Sequence, residues 1–102
     1  MRVYPRPDWP FKLVEEPAVT QSILAAQQKY PRFEEAWDGL CWLIAHGGDR
    51  LGVTERKFGN VGHFIYTYEG DEVAGFPRIV VVYRYAVGSY TLRMIVVSDP
   101  PA

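Results

Sequence analysis

Apolar positions change their spacing along this 102-residue chain, and each change marks an element. Pro5, Pro7 and Pro10 each fix φ and remove a backbone donor, so residues 1–10 read as an extended N-terminal arm, with Tyr4 and Trp9 pinning it to the core. Phe11–Glu15 is β-branched and aromatic ahead of Pro17, which predicts a short strand at a sheet edge. Val19, Ile23, Ala26 and Tyr30 then recur at helical spacing, predicting a first helix over 18–29 with Pro17 in its first turn. Pro31 ends it. Phe33, Ala36, Trp37, Leu40 and Ile44 form the apolar stripe of a second helix that stops at Gly47-Gly48, with Glu34 and Glu35 in its first turn and His46 in its last. Asp49–Lys57 is polar without a sustained period and reads as a connecting loop.

Beyond that loop the period becomes two. His63–Tyr68 predicts a strand ending at the turn signal Glu69-Gly70-Asp71. Arg78–Tyr85 is apolar enough on both faces to be the central strand. Gly88-Ser89 joins it to a last strand, Tyr90–Val97, through a connection short enough to make the pair antiparallel, and Asp99-Pro100-Pro101 stops the sheet. The expected fold is a single α+β domain: a short N-terminal strand, a two-helix hairpin, then a three-stranded antiparallel meander. Alternation assigns Ile79, Val81, Tyr83 and Tyr85 to the helices, and Arg78, Val80, Val82 and Arg84 to the opposite face. On the last strand it assigns Leu92, Met94 and Val96 inward, leaving Thr91, Arg93, Ile95 and Val97 outward.

Composition narrows the function. Hydrophobic residues at 48% and charged residues at 23% are ordinary for a folded domain, which excludes a disordered or fibrous chain. The apolar run Ile79–Tyr83 is far short of the roughly 20 residues that cross a bilayer, and the first residues lack the apolar core of a secretory signal, so a cytoplasmic location is expected. Eleven basic against twelve acidic residues give a net charge of −1, so any RNA binding must come from a local patch.

Few residues carry recognisable chemistry. His46, His63 and the single cysteine, Cys41, have no ligand spacing, so neither metal nor cofactor is expected, and Cys41 reads as a small core residue. Ser22, Ser89 and Ser98 lack a nucleophile's setting, and the adjacent pairs Glu15-Glu16 and Glu34-Glu35 do not face one another on regular structure. Trp37 and Trp42 read as core packing of the second helix. The one candidate patch joins Arg78, Arg84, Arg93 and His63 on the outer sheet face, with Arg56 and Lys57 at the loop-to-strand junction. These side chains would contact phosphates and stabilise the charge that builds during RNA cleavage, or they form a solvated face that discourages sheet aggregation.

The order of elements over residues 11–98 resembles the RelE/ParE superfamily of bacterial toxin–antitoxin proteins. Two stretches carry the likeness: Glu35-Ala36-Trp37-Asp38-Gly39-Leu40, and Gly75-Phe76-Pro77-Arg78 leading into the apolar run that ends at Tyr83-Arg84. The resemblance implies a toxin-like protein held by a cognate antitoxin, acting on the ribosome and messenger RNA as an endoribonuclease, or on DNA gyrase. On the nuclease reading the basic patch supplies Arg78, Arg84 and Arg93 as catalytic cations, with Arg56, Lys57 and His63 binding RNA. The chain departs from the nuclease pattern at Val80-Val81-Val82, where a basic residue is common, and at Ser98–Ala102, where a basic pair and a tyrosine or histidine are usual. A non-catalytic interaction module of the same fold, binding a protein through its exposed sheet or N-terminal arm, is the alternative.

Overall fold

A computed structural model describes residues 2–4, 9–51, 53–58, 61–86 and 88–101, of which 2–4, 49–51, 53–58, 61–62 and 86 are described by backbone alone. Pro17 opens helix α1 (Pro17–Lys29), where its missing N–H belongs to a turn without acceptors, and Glu16 stands in extended geometry as the N-cap. Val19, Ile23 and Ala26 are the buried face of α1. Pro31 separates it from helix α2 (Phe33–Leu51), which buries Phe33, Trp37, Leu40, Cys41, Ile44 and Ala45. The second helix therefore runs past the glycine pair at which the sequence pattern stops it. Gly47 breaks the helical geometry with φ 168°, and the last turn resumes beyond it. Gly48 then sits so close to the sheet that a Cβ there would lie 3.1 Å from Ile44, Tyr83 and Tyr90 side chains. The Tyr83 hydroxyl donates to the Gly48 carbonyl at 2.5 Å, fixing the kink against the sheet.

The strands are β1 (Arg2–Tyr4), β2 (Lys12–Glu15), β3 (Val53–Phe58), β4 (Val61–Tyr68), β5 (Arg78–Ala86) and β6 (Ser89–Ser98), in the sheet order β1-β2-β6-β5-β4-β3. The α+β architecture is the expected one, and β4, β5 and β6 are its antiparallel meander. Three features differ from the sequence reading. Arg2–Tyr4, in the predicted arm, pairs with β2 as an edge strand, while residues 5–8 of that arm lie outside the described residues. The first strand after it is not at the edge: β2 runs parallel to β6, with Lys12 N–H donating to Gly88 O and Glu16 N–H to Leu92 O. The predicted loop over 49–57 is instead the end of α2 and most of β3, a polar edge strand held by backbone pairing with β4.

Both helices lie on one face of the sheet. Leu13, Phe64, Ile79, Val81, Tyr83, Tyr90, Leu92 and Ile95 meet them there, so the inner set predicted for β5 is confirmed. The set predicted for β6 is corrected beyond Leu92. Ile95 is 5% exposed, whereas Met94 and Val96 are 52% and 50% exposed, because the register shifts between Val82 and Tyr83: Tyr83 pairs with Leu92 and Val82 with Met94, leaving Arg93 as an extra residue. This bulge reverses the alternation for the rest of the strand. Trp42 is also corrected, standing 50% exposed on α2 with its ring stacked on His46 at 4.0 Å, whereas Trp37 is buried. No helix among the described residues is long and apolar enough to cross a membrane.

Candidate binding surface on the open sheet face

With the helices on one side, the other face of the sheet carries no helix among the described residues, and strand register places its side chains in rows. Across the middle, Ile65 on β4, Val82 on β5 and Met94 on β6 are neighbours, and the next row is Thr67, Val80 and Val96. Each pair is directly opposed across a strand gap, where apolar side chains touch. The bulge at Arg93 brings Met94 and Val96 onto this face in place of Ile95 and Val97, which regular alternation would have put there.

The predicted cations border this strip without converging. Arg78 and Arg84 share its side of β5 but stand six residues apart, about 20 Å along a strand. Arg78 sits beside Ser98 and its Nε donates to Glu69 at 3.3 Å. Arg93, at the bulge, turns toward β2 and donates from Nε to Glu16 at 2.9 Å. Arg84 lies between His63 and Thr91, and its Nε is buried with no hydrogen-bond partner among the described residues. Arg56 is the backbone partner of His63 on β3, and Lys57 the partner of Gly62; the side chains of both lie outside the described set. The structure therefore brings Arg84 and His63 together, with Arg56 next in register, and holds Arg78 and Arg93 apart in separate ion pairs.

Arg84 at the end of an apolar strip suits a partner that combines apolar surface with a hydrogen-bond acceptor. Cleavage of a phosphodiester needs several groups within hydrogen-bond distance of one phosphate. Two of the three arginines would have to leave carboxylates to supply that. Nor do the described residues hold a cluster of histidine, cysteine, aspartate or glutamate side chains fit for a metal ion.

Sequence reasoning missed two residues of this neighbourhood. Glu15 is fully buried, and Thr20 Oγ1 donates to its Oε1 at 2.9 Å. Glu16, the other member of that adjacent pair, is the residue that takes Arg93. Their one signal is strand alternation: neighbours on an extended segment point to opposite faces, so Glu15 goes to the core and Glu16 to the open side.

Comparisons with protein-family models, curated proteins and solved structures return no match to this chain.

Proposed function

We propose that the chain is a non-catalytic protein-binding module of RelE/ParE-like build, which works in the cytoplasm and engages a partner across the open sheet face. The observation that carries this reading is the apolar strip formed by half-buried Ile65, Val80 and Val82 and by exposed Met94 and Val96, with Arg84 at its end. Exposed apolar surface of this kind marks interaction sites, and each aliphatic side chain fully covered there contributes about 1.5–3 kcal/mol. A carboxylate of the partner would also pair with Arg84, which borders the strip. A cognate antitoxin is the partner that the family likeness suggests.

The test is binding of a purified cognate partner, encoded beside this chain, to the wild type and to Val82→Lys, Met94→Glu and Arg84→Ala. The reading expects a stoichiometric complex that each substitution weakens while the melting temperature stays within a few degrees of the wild type. Full binding by Val82→Lys and Met94→Glu together would refute it.

A toxin-like endoribonuclease is the second reading, and the alignment of Arg84, His63 and Arg56 across three strands is the observation that favours it. Here Arg84 would stabilise the charged intermediate formed when a ribose 2′-hydroxyl attacks its own phosphate, with Arg78 and Arg93 released from their carboxylates by the RNA. Expression in a bacterium lacking the partner separates the readings: arrested growth with cut messenger RNA, both lost in Arg84→Ala, supports the nuclease. Intact RNA and normal growth support the binding module. DNA damage without RNA cleavage would point to gyrase.

A further inference from the structure

The helix layer is narrower than the sheet beneath it. Six strands at about 4.8 Å span about 24 Å between the outermost, and two helices cover about 20 Å. Because α1 packs chiefly on β6 and α2 over β2, β6 and β4, β4 is the outermost strand on its side that the helix layer reaches. There Phe64 is buried, but Tyr66 and Tyr68, on the same face of the same strand, are only partly covered. Between them and α2 runs an apolar groove of about 260 Å³, floored by Tyr66 and Tyr68, walled by Ala36, Gly39 and Leu43, and closed at one end by Phe76.

The flank of α2 that borders this groove is itself apolar. At 100° per residue, Ala36, Trp42 and Leu43 all lie within about 60° of Gly39, forming a second stripe beside the one in the core. Trp42 and Leu43 are 50% and 42% exposed. Gly39 is the least helix-favouring residue short of proline, yet a Cβ there would meet nothing within 4 Å, so no contact within this chain calls for glycine. What it provides is room for close approach by another helix.

Charge identifies the visitor. Around the Phe76 end, Glu35, Asp38, Asp71 and Glu72 are exposed, while among the described residues Arg32 opposes them and Glu69 and Arg78 neutralise each other. Arg32 is in turn committed, donating to Glu35 at 2.7 Å and to Ala74 O at 2.6 Å with its guanidinium 4.2 Å from the Phe76 ring. We propose that this groove is a docking lane for a basic amphipathic helix of a partner protein, its apolar stripe lying on Leu43, Gly39 and Tyr66 and its lysines or arginines over the acidic end. A second copy fits poorly, since β4 and β3 extend beyond α2 and a neighbouring sheet in the same plane would meet them first. The lane lies on the opposite side of the sheet from the strip assigned above, and stands or falls independently of it.

Selection of a library of 16-residue helical peptides against the full chain tests the proposal. Enriched peptides should carry an i, i+3, i+4 apolar stripe and net positive charge. Their binding should weaken about tenfold or more in Gly39→Leu, which fills the lane, and in Glu35→Lys/Glu72→Lys, yet be unchanged in Val82→Lys on the other face. Gly39→Leu should melt no lower than the wild type; should it fail to fold, Leu43→Lys replaces it at an exposed position. Acidic or neutral binders, binders indifferent to the lane substitutions, binders lost in Val82→Lys, or no enrichment would each overturn the proposal. A dimer in sedimentation that Gly39→Leu dissociates would assign the lane to a second copy and overturn it as well.

Discussion

Gly70 shows how much can rest on a hydrogen atom. Its φ is +79°, and a Cβ there would lie 2.6 Å from the Phe76 carbonyl oxygen and 2.7 Å from the Pro77 carbonyl, both rigid backbone. Gly70→Ala should therefore destabilise the chain by more than about 2 kcal/mol in urea denaturation, combining left-handed strain with a backbone clash. Tyr83→Phe should cost about 1–2 kcal/mol by leaving the buried Gly48 carbonyl without its donor. At the surface, the hydrogen bond from Arg32 holds the Glu35 carboxyl below the usual carboxylate range. A depressed folded pKa contributes stability that is present above the unfolded value and lost as pH falls through the folded one. In acid titrations of stability, the gap between wild type and Glu35→Gln should be constant above about pH 5 and close as pH falls below about 4.3.

Elements were legible where one periodicity had one physical cause. The stripes of α1 and α2 and the inner face of β5 could be read because each buries a single continuous apolar set. The far half of β6 could not be read this way. Both alternations from Met94 to Val97 are apolar, so nothing in those residues separates Met94 and Val96 inside from Ile95 and Val97 inside. A bulge at Arg93, paired to Glu16, decides the matter. β3 was hidden for a different reason: Thr54-Glu55-Arg56-Lys57 shows no apolar alternation, and the segment is a strand through its backbone pairing with β4. Trp42 fell on the edge of a stripe whose interior is Trp37, and a helical wheel alone does not say where the partner surface stops. Gly39, by contrast, is intrinsically poor in its helix and makes no contact that needs it, so Gly39→Ala should raise stability by about 1 kcal/mol in chemical denaturation.

At the scale of the whole molecule, the described helices both lie on one side of a six-stranded sheet and none covers the other, and this asymmetry underlies the functional reading. The sequence placed Arg78 and Arg84 on that other side, and the structure agrees. What it could not give was distance and company: about 20 Å of strand between Arg78 and Arg84, and carboxylates from Glu69 and Glu16 that arrive from a turn and from the residue before α1. The parallel pairing of β2 with β6, which delivers Glu16 beside Arg93, joins segments some 77 residues apart and has no local signal. Arg78 and Arg93 are held apart in ion pairs around an apolar centre, and the binding reading proposed above rests on that dispersal.

A photoreactive amino acid at position 82 of the full chain in cells, with one at position 24 on the exposed side of α1 as the control, tests this most directly. Irradiation should give a single discrete protein adduct from position 82 and none from position 24. An RNA adduct at position 82, or no adduct above the control, would contradict it.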